Sequence, residues 1–111
     1  MKNISARELH ELLRRGDGDV DVVDVREPAE WVTGHIEGSR LVPLASLRAN
    51  PKGSLPRDGI VFVCAAGIRS QNAARIALGN GYGRVYNLVG GTRAWQSAGL
   101  PLVQDGLSVA V

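Results

Sequence analysis

Ile60-Val61-Phe62-Val63-Cys64-Ala65-Ala66-Gly67-Ile68-Arg69-Ser70 is the stretch that decides how this chain folds. Its first four residues are apolar, continuous and rich in β-branching, the pattern of a strand buried on both faces. From Ser70 to Leu78 the residues Ala73, Ala74, Ile76 and Ala77 supply the packing faces of a helix, which Gly79 and Gly81 stop. Between strand and helix lies a short loop headed by Cys64, the single cysteine of the chain. Loop N–H groups, and the helix N-terminus behind them, are expected to face its sulfur. Such a place holds an anion and favours thiolate over thiol, and the thiolate is the reactive form. Most lone cysteines are small buried hydrophobes. This placement lowers a thiol pKa, so Cys64 is read as a catalytic nucleophile.

The same alternation extends in both directions. Ser5 and Glu8 form a capping box, behind which Leu9, Leu12 and Leu13 share one helical face up to Gly16. Asp17-Gly18-Asp19 is expected to turn the chain into a strand over Val20–Val25. Glu27-Pro28-Ala29-Glu30-Trp31 reads as a short helix start that Gly34 closes. Arg40–Pro43 is a brief extended piece, and Leu44–Ala49 is one helical turn or two. Asn50–Gly59, with its two prolines and two glycines, reads as a surface loop. Arg84–Val89 is the next strand. Gly90-Gly91 turns, and Thr92 is expected to cap a short helix through Trp95 to Ala98. Gln104–Val111 reads as a tail that frays or docks at a sheet edge. Strands alternating with helices predict an α/β domain with a mainly parallel sheet, whose ligands sit beyond the carboxyl ends of the strands.

Bulk properties narrow the function classes. A chain of 111 residues suits one domain, and 13 basic against 11 acidic groups leave a net charge of only +2. Scattered arginines and few aromatics argue against nucleic-acid binding. A single cysteine without a Cys/His cluster forms no internal disulfide and argues against structural zinc, so no metal is expected. With neither an apolar signal core at the N-terminus nor a stretch of membrane-spanning length, the cytoplasm is the default location, and a free nucleophilic thiol fits a reducing compartment.

Loop length bears on which anion fits. Only Ala65, Ala66, Gly67 and Ile68 separate Cys64 from Arg69. Phosphatase loops of this kind place their arginine one residue further on, where this chain has Ser70. The shorter loop is expected to make a tighter cradle, sized for one extra sulfur atom and not for a phosphoryl group. Phosphatase or arsenate reductase chemistry is disfavoured on that ground.

From Ile4 to about Leu102 the chain resembles the single-domain rhodanese family of sulfurtransferases. Four pieces carry the resemblance: Val23-Asp24-Val25-Arg26-Glu27 with Glu30-Trp31, Gly34-His35-Ile36-Glu37-Gly38-Ser39, the six-residue loop Cys64–Arg69, and Gly90-Gly91 with Trp95. The resemblance implies a rhodanese-like three-layer fold over residues 1–103, followed by a tail over 104–111. Its central sheet would be mainly parallel, of about five strands, with helices on both faces. It also implies that Cys64 thiolate takes the sulfane sulfur of a donor such as thiosulfate, carries it as a persulfide, and yields it to cyanide or a thiol. No cofactor is needed. The partners implied are small-molecule donors and acceptors, with a sulfur-accepting protein as a further option. Monomer is the default state, with no nucleic acid and no membrane.

Ala65, Ala66, Gly67, Ile68, Arg69 and Ser70 are the expected substrate-binding residues. Their N–H groups and the helix dipole would stabilise the persulfide anion, and Gly67 lets the backbone bend. Arg69 is placed to lower the thiol pKa or to attract an anionic donor. Ala65 and Ala66 stand where many active members carry polar or basic side chains, which predicts weak affinity for dianionic thiosulfate. A competing reading is a rhodanese-like binding or regulatory module without turnover; inactive members commonly lack the cysteine that is present here.

Asp24 and Arg26 are expected to support the fold as an ion pair or through a loop hydrogen bond. His35 is read as structural, and His10 as exposed on its helix. Trp31 and Trp95 are read as packing residues. The directions of Arg40, Arg75 and Arg93 are not fixed by the sequence.

Overall fold

A computed structural model describes residues 1–16 and 20–104. The expected turn at Asp17-Gly18-Asp19 and the tail beyond Gln104 lie outside the described residues. In chain order the elements are β1 (Lys2–Ile4), α1 (Ala6–Arg15), β2 (Asp21–Asp24), α2 (Pro28–Trp31), β3 (Arg40–Leu41), α3 (Leu44–Ala49), α4 (Pro51–Ser54), β4 (Ile60–Val63), α5 (Arg69–Gly79), β5 (Val85–Leu88) and α6 (Gly91–Ser97). The strands form one sheet in the order β1-β5-β4-β2-β3, and every pairing is parallel. No described helix is long and apolar enough to cross a membrane.

β4 is the central strand, and the period-two alternation of side chains divides its residues between two cores. Ile60, Phe62 and Cys64 join Val23, Val25, Leu47, Leu55, Ala73, Ala74 and Ala77 on one face. Val61 and Val63 join Ile4, Leu9, Val22, Ile36, Leu88 and Trp95 on the other. Helices α3 and α5 therefore cover one face, and α1 and α6 the other, giving three layers. In α5 the inward residues Ala73, Ala74 and Ala77 are fully buried; their small side chains let the helix lie close to the sheet.

One strand is added to the sequence reading and two readings change. Lys2–Ile4 is a strand, pairing with Tyr86–Leu88 at the sheet edge. Pro51–Ser54 forms a turn of helix inside the expected loop, because Asn50 accepts the Gly53 N–H at 3.1 Å and Pro51 occupies the first turn. The cap of α6 is Gly90, in a left-handed conformation (φ 74°), and not Thr92, which lies within the helix. The capping box of α1 is present as expected, with Glu8 N–H donating to Ser5 and Ser5 N–H to Glu8.

The connections after β2, β4 and β5 all leave from the carboxyl end of the sheet. Since these strands are neighbours, the segments that follow them meet above β4. They are the Arg26–Glu30 segment, the Cys64 loop and the Gly90-Gly91 turn.

Candidate active site

Cys64 follows the last residue of β4 and lies at the floor of the loop, 1% exposed. The Gly67 N–H donates to its Sγ at 3.0 Å, and the Ser70 hydroxyl lies 3.4 Å from the sulfur. The amides of Ala66 and Ser70 act in the same sense, favouring the charged form of the sulfur. Burial pushes the thiol pKa up. The Ser70 hydroxyl and the amides of Ser70, Ala66 and Gly67 pull it down more strongly, so the thiol sits below its ordinary value. The sulfur is thus shielded from solvent, while neighbouring amides point at it.

Why the amides point inward is visible in the loop's other contacts. Each peptide unit carries its N–H and C=O on opposite sides, so carbonyls held outward leave amides turned in. Thr92 N–H donates to the Cys64 carbonyl at 2.8 Å, and Arg93 N–H to the Ala65 carbonyl at 3.1 Å. The start of α6 thereby uses its own unpaired amides to fasten the loop. This approach requires glycine. A Cβ on Gly91 (φ 59°) would lie 2.2 Å from the Cys64 carbonyl oxygen, and one on Gly67 (φ 93°) 2.9 Å from the Gly90 nitrogen.

Behind the sulfur, Ser70 Oγ donates to Asn87 Oδ1, and both residues are buried. Asn87 comes from β5, on the side of the sheet that carries Cys64. Ser70 has one hydroxyl proton, so the asparagine oxygen and the sulfur compete for it.

Arg69 does not stand as an isolated charge. Its Nη1 and Nη2 donate to the two carboxylate oxygens of Glu30, at 2.7 and 2.9 Å. Among the loop side chains, Ile68 points outward and is 67% exposed. Ala66 is exposed and Ala65 half-buried. Residues 65–70 thus form the loop around the sulfur, and the loop's only charge is paired.

Asp24 and Arg26 form the expected ion pair, buried at 0% and 4% exposure. Arg26 Nε and Nη2 donate to the carboxylate at 2.8–3.0 Å, and Nη2 also donates to the Gly34 carbonyl at 2.8 Å. His35 is structural. Its backbone pairs with Val103 as an antiparallel bridge, its Nδ1 lies 3.0 Å from the Trp31 carbonyl, and its ring stacks on Trp31 at 3.5 Å. Trp95 is buried, with Nε1 donating to the Pro101 carbonyl at 2.9 Å. His10 is half-buried, edge-on to Trp95 at 5.9 Å, and not exposed as expected. The undirected arginines are also placed. Arg40 pairs with Asp21 at 2.8 Å, Arg75 donates to Asn72 at 3.1 Å, and the Arg93 side chain is exposed.

Residues 5–98 match the model of the rhodanese-like domain family. The chain belongs to that family. Among curated relatives, a sulfurtransferase of Allochromatium vinosum is 40% identical over 86 residues, covering 77% of this chain and 79% of the relative. A thiosulfate sulfurtransferase GlpE of Pseudoalteromonas translucida is 34% identical over 97 residues, covering 87% and 90%. The crystal structure of a rhodanese-related protein from Thermoplasma volcanium superposes with a TM-score of 0.82 at 32% identity, covering 94% of this chain and 99% of that one.

Within this rhodanese-like domain, sequence reasoning missed Glu30 and Asn87 as neighbours of the loop. Glu30 falls in the segment read as a short helix start, where it closes a capping box with Glu27. Its reach to Arg69 spans 39 positions and leaves no local signal.

Proposed function

We propose that the protein is a sulfurtransferase that moves sulfane sulfur through a persulfide on Cys64. The observation that carries this reading is the set of amides from Ala66, Gly67 and Ser70 directed at one sulfur. They stabilise a negative charge there without any metal or prosthetic group taking part in the proposed steps. The relatives named as sulfurtransferases support the same class of reaction.

The half-reactions balance as follows. Cys64 thiolate attacks the outer sulfur of a donor such as thiosulfate; a Cys64–S bond forms as the donor S–S bond breaks, and the bonding pair leaves on sulfite. The terminal sulfur of the persulfide is then attacked by cyanide or a thiolate. A new bond to the acceptor forms, the persulfide S–S bond breaks, and its electron pair returns to Cys64. Neither half-reaction needs an external oxidant or reductant. Cys64 is the only cysteine, so the sulfur passes to an external acceptor and not to a second thiol of this chain.

Mass spectrometry of the intact protein tests the reading. Thiosulfate should add the mass of one sulfur atom on Cys64, and cyanide should remove it as thiocyanate. Cys64→Ser should fold and should neither load nor transfer. No adduct with thiosulfate, a thiosulfonate or an alkyl persulfide would assign the domain to a binding role instead, and transfer retained by Cys64→Ser would end the mechanism.

A further inference from the structure

The Glu30 carboxylate is held from two directions. Its Oε1 accepts the Glu27 N–H at 3.0 Å, the tie that fixes the first turn of α2. Both oxygens accept from Arg69, which opens α5. Hydrogen bonding to Arg69 outweighs burial and pulls the Glu30 carboxyl down to about 2, so it is ionised at any ordinary assay pH. Arg69 stands close enough to Cys64 for the sulfur's charge to act on it. The loop's own cation thus reaches the site already neutralised.

Beyond Arg69, the cation fastened to the loop is Arg93, whose N–H holds the Ala65 carbonyl and whose side chain is exposed, where solvent screens it. Ala65 and Ala66 carry no charge. Arg26 acts on Glu30, but it is occupied by Asp24 and by the Gly34 carbonyl. Asp24, Arg26, Glu30 and Arg69 sum to zero. A doubly charged donor entering over the loop meets a carboxylate paired with the loop's own cation. A donor with a single charge meets half that penalty.

Building on the sulfurtransfer reading, we propose that Glu30 determines donor specificity: by pairing with Arg69 it turns the site away from dianionic sulfane donors and toward donors of lower charge. Glu30 acts through Arg69 and is a positioning residue; it does not touch the reacting sulfur.

The test compares thiosulfate, a dianion, with methanethiosulfonate, a monoanion that offers the same type of sulfane sulfur, with cyanide as acceptor. The readout is the ratio of kcat/KM for the two donors. In Glu30→Gln the thiosulfate-to-methanethiosulfonate ratio should rise about three- to eightfold, the effect of one unit charge at the mouth of a solvated pocket. The rise should appear in KM and shrink with added salt. Arg69→Met should lower the ratio, and the double variant should return it near the parent value. A ratio that ignores these charge changes, or that falls in Glu30→Gln, overturns the proposal while leaving sulfur transfer intact. Failure of both donors to load Cys64 in the parent protein would instead remove the sulfurtransfer reading, and this proposal with it.

Discussion

Thr92 N–H donates to the carbonyl of Cys64 at 2.8 Å, so Cys64 is anchored through its main chain to the first turn of α6. The contact is possible because Gly91 has no side chain. Gly91→Ala would drive a Cβ into the Cys64 carbonyl oxygen and would strain a backbone at φ 59°. The expected loss is about 2–5 kcal/mol of stability, from overpacking and left-handed strain together. Urea denaturation measures it, and the loading of Cys64 should fall in the fraction that stays folded.

Ser70→Ala removes the largest of the effects that hold the Cys64 thiol down, while burial continues to push it up. The pH profile of Cys64 alkylation by iodoacetamide should therefore move to higher pH. A profile that stays in place would show that the amides alone set the thiolate.

The depressed Cys64 pKa also links folding to pH. The thiol is below its ordinary value of 9.0 when folded, so the folded state releases its proton before the unfolded chain does. Stability gained from this group is fully present above pH 9.0 and is lost as pH falls through the folded pKa. Relative to Cys64→Ser, the parent protein should gain stability as pH rises toward that value, as measured by chemical denaturation across a pH series.

Asp24→Ala leaves the buried Arg26 guanidinium without its carboxylate. Breaking one side of a buried pair costs about 3–5 kcal/mol. The loss should appear in the denaturation midpoint. The Cys64 alkylation profile should move much less than in Ser70→Ala, because no Asp24 contact reaches the sulfur.

Arg69→Ala contrasts with it. Arg69 and Glu30 side chains are 37% and 35% exposed, so solvent screens the pair and its removal should cost no more than about 1 kcal/mol. That contribution is present above the ordinary Glu value of 4.5 and is lost as pH falls through about 2. Thiosulfate turnover should drop further than the small change in midpoint suggests.

Much of the architecture was readable from local pattern. The β-branched run Ile60–Val63, the capping box at Ser5 and Glu8, and the glycines after Leu78 each state their structure within a few residues. Lys2–Ile4 did not, because two of its three residues are exposed and its strand character comes from pairing with Tyr86–Leu88, far along the chain. The cap of α6 was misplaced at Thr92 because its amide is committed to the Cys64 carbonyl, a contact set by the close passage of two loops. In the candidate site, Cys64 at the strand end and the loop around it were legible from strand, glycine and helix signals. Glu30 and Asn87 were not, since a side chain's long-range partner has no signature near it in sequence.

Besides the Ser70 hydroxyl and the nearby Arg69 charge, the groups that hold charge on Cys64 are backbone amides. Replacing Ala65, Ala66 or Ile68 leaves those peptide groups where they are. Evolution can therefore rewrite the side chains at the mouth of the loop while the electrostatic surroundings of the sulfur beneath stay constant.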